Sequence, residues 1–424
     1  MLCQFTFKNF KSFKNQATLD LYAENIGEHT ESLLVDQNDN ERILPVISIY
    51  GPNGSGKSNV LEAFAYFRYK IIFPVISLIG DKMAPDDSED KDYLQIKPLP
   101  TTGDQNYYKF DTRCKEQPVE FSIICRVESF EYNYQINFLN GIILEENFYR
   151  TNLKSDEPEL IFERILSEKK EYIFNYGDTV SNISATKIKR TIPLISYLTI
   201  TTDIEPVDKF VMWLLSCITL DFDDPERDRL ISIPELEEDK NNILVLLNNM
   251  GIDISDIKVI FDEDNDVEEI HTVRNLSTGN SELDFSEESS GTRKVMSLLP
   301  HIYKCLQGGN LVIADEMDAK LHPKLFGYII SLFTDPLINK KNAQLICTSH
   351  DLYNMNKERF RRDEIWFCSM NANFESKLYS LVQFKMANGT KPRNDGSYSK
   401  QYIEGKFGAD PYIRKGLKWE DIDE

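Results

Sequence analysis

Three stretches of this sequence hold residue types, at spacings, that could handle a phosphorylated substrate. Gly51-Pro52-Asn53-Gly54-Ser55-Gly56-Lys57-Ser58 has the order G-x-x-x-x-G-K-S. Glycines there let backbone N–H groups turn inward around phosphate oxygens, the lysine reaches the β- and γ-phosphates, and the serine can ligate Mg2+. Lys57 and Ser58 are therefore the candidate phosphate and metal residues, with Asn53, Gly54, Ser55, Gly56 and Asn59 around the same phosphates. Asp315-Glu316 closes the apolar run Asn310–Ala314. Asp315 would hold Mg2+ through water, and Glu316 would act as general base on an attacking water. His350, at the end of the run Leu345–Thr348, would contact the γ-phosphate or order that water.

These residues need elements that bring them together. Ile43–Tyr50 predicts a buried strand just before the glycine turn, and Val60, Leu61, Phe64 and Phe67 recur at helical spacing after it. Open α/β sheets bind ligands at the carboxyl ends of strands, so strands ending at Asp315 and Ser349 belong in the same sheet. Ser286–Arg293 precedes a helical run with Val295, Met296, Leu298 and Leu299. Read alone it is a capped helix start, whose N–H groups make another anion site. Phe5, Phe7, Leu19 and Leu21 alternate as in strands, as do residues from Val119 to Thr151 around the tight turn Asn140-Gly141. Helices are expected over Pro206–Leu220 and Asn241–Met250, and exposed acidic stretches at Asp81–Asp92, Asp221–Arg229 and Glu235–Lys240.

Composition narrows the function. The 424 residues carry 48 Lys+Arg against 69 Asp+Glu, a net charge of −21, which argues against a general nucleic-acid coat. Lys187–Arg190 and Lys357–Arg362 are the local basic segments where DNA could still bind, each read first as solvated surface. The seven cysteines form no Cys-x-x-Cys and read as reduced core thiols of a cytoplasmic protein. The longest apolar runs are too short to cross a bilayer, so no membrane association is expected.

The order of P-loop, Ser289-Ser290-Gly291-Thr292, Asp315-Glu316 and His350 resembles the ABC-type ATPase heads shared by SMC, RecF and OLD-like proteins. Phe7-Lys8-Asn9-Phe10-Lys11-Ser12-Phe13 is similar to the opening of that group, and Asp315–Pro323 to its Walker B and D-loop. Arg361–Phe367 and Tyr402–Pro411 resemble the stand-alone ATPases of bacterial abortive-infection and anti-phage systems, of the RloA and AbiLi type.

This resemblance implies an α/β P-loop NTPase of the ABC-head type, with a mixed central sheet, an antiparallel β subdomain and a helical insertion. Residues 1–200 would form the N-terminal lobe, 201–262 the helical insertion or arm, and 263–424 the C-terminal lobe. ATP and Mg2+ would be the cofactors, with Lys11, Ser12 and Phe13 beside the nucleotide. Ser289, Ser290 and Gly291 would serve the γ-phosphate of a neighbouring chain, with Asp318 at the interface. One P-loop and one signature per chain then require a homodimer or higher oligomer. The implied function is a regulatory ATPase controlling a separate effector, with a phage protein as possible trigger; the alternative is a RecF- or SMC-like DNA-binding ATPase in repair.

The sequence departs from the pattern in two places. Ser290 replaces the first glycine of the transporter-type signature, and Tyr107–Phe110, the guessed Q-loop region, offers no clear glutamine. Lys57 and Ser289 lie 289 − 57 = 232 positions apart, too far for a transporter domain, and the heptads of an SMC arm are absent. Only 424 − 350 = 74 residues follow His350, too few for the TOPRIM nuclease of OLD proteins.

Overall fold

The computed structural model describes residues 1–35, 41–83, 106–180, 188–220, 239–261, 267–384 and 397–409. Val-Ile-Ser-Ile-Tyr at 46–50 has no polar face to give to water, and it forms a strand buried along its whole length (β5, Val46–Tyr50). That strand lies inside a six-stranded sheet, in the order β11 (Ile218–Leu220), β15 (Leu311–Ala314), β16 (Gln344–Thr348), β5, β17 (Ile365–Met370) and β18 (Ser376–Ser380). The first five strands are parallel and β18 is antiparallel to its neighbour. Ile49 pairs with Thr348 and Ala314 with Cys347, so β5, β15 and β16 all end at one edge.

Both faces of this sheet are covered, as parallel strands require. Ile47, Ile49, Leu311, Ile313, Ile346 and Trp366 enter one core, while Val46, Tyr50, Val312, Ala314, Leu345 and Phe367 enter the other. The second core is closed by helices α4 (Lys240–Asn249), α5 (Ser290–Gly308), α6 (Pro323–Thr334) and α7 (Tyr398–Ile403).

The first core lies between the central sheet and a seven-stranded antiparallel sheet. Its order is β10 (Tyr172–Tyr176), β9 (Pro158–Leu166), β8 (Ile142–Asn152), β7 (Phe130–Leu139), β6 (Val119–Val127), β1 (Leu2–Lys8) and β2 (Ala17–Asp20). The tight turn falls where expected, with Asn140 and Gly141 both at positive φ between β7 and β8. Helix α1 (Lys57–Met83) supplies Phe64 and Phe67, which meet Phe5 and Phe121 of that sheet. Two further helices, α2 (Leu194–Thr201) and α3 (Glu205–Ser216), join this core. The N-terminus of α2 is held by Glu146 of β8, which accepts from Leu194 N at 2.7 Å and Ile195 N at 2.9 Å while facing Arg164 at 3.5 Å. Complete burial raises the Glu146 carboxyl despite that arginine. A three-stranded sheet, β12 (Asp256–Phe261), β13 (Val267–Leu276) and β14 (Gly279–Asp284), leads into α5, and β3 (Leu34–Val35) pairs with β4 (Arg42–Ile43).

Some expectations need correction. The helix over 206–220 stops at Ser216, because Ile218–Leu220 is needed as a sheet strand beside β15. The basic segment Lys357–Arg362 is a solvated face only in part: Lys357 and Arg359 are exposed, but Arg361 and Arg362 are turned inward. Arg361 is 0% exposed, donates to both Asp363 oxygens, and also donates to the Glu24 and Glu28 carbonyls. Arg362 pairs with Glu28 at 2.7 Å. These charges clasp the 22–31 loop to the second core's edge, so they are spent inside the protein. Lys187, Asp221–Arg229 and most of Asp81–Asp92 lie outside the described residues. All seven cysteines are buried free thiols.

Candidate functional site

The P-loop leaves β5 through three glycines held at positive φ: 156° at Gly51, 76° at Gly54 and 100° at Gly56. Two of them are needed for close approach. A Cβ on Gly51 would sit 2.2 Å from the Cys368 carbonyl oxygen, and one on Gly56 would sit 2.5 Å from Ser376 Oγ and 2.6 Å from Ser12 Oγ. Gly54 faces open space, and Asn53 beside it is exposed. Helix α1 begins at Lys57, so its N-terminal N–H groups point into the loop. The Lys57 ammonium is buried and donates to the Gly51 and Pro52 carbonyls at 2.8 and 3.2 Å. Burial lowers its pKa, against the pull of nearby acidic groups including Asp315, Glu316 and Asp318. Ser55 Oγ is buried with no hydrogen-bond partner among the described residues, one polar atom in the cradle still to be satisfied.

The two carboxylates face different surroundings. Asp315 is half-buried, and its Oδ1 accepts from the Thr348 hydroxyl of β16. Glu316 is exposed and sits at φ 43°, the left-handed region. Its N–H donates to Thr348 Oγ1 at 2.8 Å, and its carbonyl accepts from Lys294 Nζ at 2.7 Å. Asp318 receives the His350 N–H at 3.2 and 3.1 Å, tying the D-loop to the end of β16. The His350 imidazole is lowered by burial first and then by Lys57, with Asp318, Glu316 and Asp315 opposing. Lys57, Asp315, Glu316, Asp318 and His350 therefore lie within one another's electrostatic reach at a single sheet edge.

The signature stretch forms the start of α5. Ser289 is its N-cap, accepting from Thr292 N at 3.1 Å, and Ser289 and Ser290 are exposed. Behind them Gly291 packs on the D-loop, where a Cβ would lie 3.0 Å from the Lys320 carbonyl oxygen. Glu288, immediately before the cap, is held by both Arg274 nitrogens at 2.6 and 3.0 Å; despite burial its carboxyl stays below the usual range.

Of the N-terminal residues expected at the nucleotide, Ser12 alone touches the loop. Its Oγ accepts from Asn59 Nδ2 at 2.7 Å and lies 2.7 Å from Ser376 Oγ. The Lys11 ammonium pairs with Glu62 of α1. Phe13 is 0% exposed, packed edge-on against Phe7 at 4.9 Å, so it offers no surface to a nucleotide. The resemblance of the opening motif implied a place beside the nucleotide, but Phe13 belongs to the first core. Tyr108, in the guessed Q-loop region, is buried, with its N–H on Asn9 Oδ1 at 3.1 Å.

Four contributors escaped sequence reasoning. Cys368 Sγ lies 3.0 Å and Ser376 Oγ 2.6 Å from the Ser55 carbonyl oxygen, both more than 300 positions from it in sequence. Thr348 and Lys294 hold the Glu316 peptide. A threonine just before a Ser-His pair and a lysine in an otherwise buried helix turn were the available signals.

A P-loop on an inner strand of a largely parallel sheet, with a histidine and an Asp-Glu pair at the ends of the next two strands, is the arrangement of an α/β P-loop nucleotide-binding fold. Residues 46–356 match the family described as "AAA domain, putative AbiEii toxin, Type IV TA system", and this chain belongs to that family. Among solved structures it is similar to the SMC head domain from Thermotoga maritima, with 15% identity, a TM-score of 0.38, and 89% of this chain and 98% of that chain covered. It is also similar to an SmcHead bound to the C-winged helix domain of ScpA (15% identity, TM-score 0.39, 89% and 97% covered). A third is the Smc head with an extended coiled coil bound to the C-terminal domain of ScpA derived from Pyrococcus furiosus (12%, 0.37, 89% and 96%). Among proteins of curated function, none matches. No helix among the described residues is long and apolar enough to cross a membrane.

Proposed function

We propose that this protein is a Mg2+-dependent ATP-hydrolysing switch, the regulatory ATPase of a cytoplasmic bacterial anti-phage system that restrains or licenses a separate effector. The observation that carries the ATPase reading is the convergence of Lys57, Asp315, Glu316 and His350 beside a glycine cradle at one sheet edge. The family's description, which names an AbiEii toxin and a type IV TA system, supports the biological setting.

The cradle fits a polyphosphate. Gly51 and Gly56 leave no room for side chains, Ser55 Oγ has no partner among the described residues, and Lys57 is parked on carbonyls it can exchange for phosphate oxygens. Asn53–Asn59 would hold ATP, with Ser58 and Asp315 on Mg2+, whose charge would offset that of the phosphates. Glu316 takes the proton of the attacking water, while His350 and Asp318, linked through the His350 backbone N–H, keep that water in line. The exposed Ser289 and Ser290, with Gly291 behind them, serve the nucleotide of a second copy, so ATP holds two chains together and hydrolysis releases them. A chain of net charge −21 suits a basic effector or trigger better than DNA.

The test is hydrolysis by the purified protein, alongside phage protection by cells carrying it with its neighbouring genes. Lys57→Ala should abolish both, and Glu316→Gln should keep nucleotide binding while losing turnover. Full protection by Lys57→Ala would overturn the reading. ATP-dependent, salt-sensitive DNA binding by the wild type would turn it toward repair.

A further inference from the structure

The backbone of the catalytic candidate Glu316 lies in a conformation that L side chains disfavour, at φ 43°. Its peptide is clamped from two directions. Thr348 of β16 receives the N–H at 2.8 Å, and Lys294 of α5 donates to the carbonyl at 2.7 Å. Lys294 is only 7% exposed and lies five residues after Ser289. Burying a lysine is costly unless its ammonium is hydrogen-bonded. Spending one on a main-chain carbonyl makes sense if the held peptide matters.

We propose that Lys294 is a positioning residue for Glu316, and that it transmits the docking of the signature to the hydrolytic carboxylate of the same chain. The inference rests on the ATPase reading above for its catalytic consequence. Two contacts join the signature helix to the Glu316–Lys320 turn: Lys294 on the Glu316 carbonyl, and Gly291 packed against the Lys320 carbonyl. Through these two contacts a shift of the helix N-terminus is passed to the backbone that aims Glu316. Since Ser289 and Ser290 would meet a second chain's nucleotide, that chain's occupancy is read by this chain's own carboxylate. Lys294 touches no reacting atom, so its effect falls on the orientation of Glu316.

Two variants separate this from simple packing. Lys294→Met keeps the apolar stem and loses the donor; Lys294→Arg keeps a donor and adds bulk. The first readout is hydrogen exchange over Asp315–Lys320 in nucleotide-free protein. It should speed by about tenfold or more in Lys294→Met and return toward wild type in Lys294→Arg, whereas a packing role predicts the reverse order. The second readout is turnover: kcat should fall about 10- to 100-fold in Lys294→Met with mant-ATP affinity unchanged, and recover in Lys294→Arg. Unchanged exchange in Lys294→Met, or a less active Lys294→Arg than Lys294→Met, overturns the proposal. If the wild type shows no Lys57-dependent hydrolysis, the ATPase reading and the catalytic consequence fall together, while the exchange data still decide whether Lys294 holds the turn. Should Lys294→Met not fold, Lys294→Gln takes its place, with slowed turnover expected and wild-type exchange and turnover overturning the claim.

Discussion

The P-loop and the signature are both glycine-containing helix starts, yet the fold treats them oppositely. The P-loop is embedded: Gly51 presses on Cys368, Gly56 on Ser12 and Ser376, and Lys57 is buried. The signature is presented: Ser289 and Ser290 are exposed, and behind them α5 is fastened to the Glu316–Lys320 turn by Gly291 and Lys294. One stretch is preorganised by its own core, whereas the other is held out at the start of a helix. The lesson is that binding and assembly can be lost separately.

The largest effect expected is from Gly56→Ala, which breaks the embedded half. A Cβ there meets two hydroxyl oxygens, and a left-handed φ costs an L residue about 1–2 kcal/mol. Nucleotide binding should vanish in a mant-ATP titration, and Tm should drop by several degrees. Next, Glu316→Gln should cut kcat by about 100-fold or more while leaving that titration intact, as loss of a general base does. Ser289→Arg breaks only the presented half. It should leave monomer affinity unchanged, abolish the ATP-dependent dimer by native mass measurement, and lower turnover by at least about tenfold. Wild-type dimerisation by Ser289→Arg would erase the distinction between the halves.

The smallest effect probes how deep the embedded half goes. The Glu364 carbonyl pairs with Ser48 of the P-loop strand, while its carboxyl, wholly buried, is pushed up to about 8 from 4.5. The folded protein thus keeps a proton there that the unfolded chain has lost, so this contribution falls as pH rises through that window. Glu364→Gln should therefore lose less Tm than the wild type between about pH 5 and pH 8. Parallel curves would show that Glu364 does not titrate there.

Much of the candidate site was legible because each stretch it is built from is a run of consecutive residues. The P-loop, Asp315-Glu316 and His350 each end an apolar strand, and that pattern needs no tertiary knowledge. What the sequence hid lies between stretches. Ser376 and Cys368 matter only because β17 and β18 fold beside the P-loop. Lys294 reads as an ordinary helix lysine until its ammonium is found on a carbonyl. Phe13 was misplaced because an aromatic at the end of a strand motif looks the same whether it faces a ligand or Phe7. Arg361 and Arg362 looked like surface charge because their partners, at 24–28, lie more than 330 positions away in sequence.

The central sheet's strand order has a consequence for how the chain comes off the ribosome. β5 is made early, yet both its sheet neighbours, β16 and β17, begin only at Gln344 and Ile365. A nascent chain that has released its glycine loop holds it on an unpaired apolar strand, with nothing yet to shape the phosphate cradle. Such long-range pairing is slow, and it exposes sticky strand edges meanwhile. Nucleotide competence therefore arrives late and all at once: a product truncated before β17 would carry the whole P-loop motif and still bind no ATP.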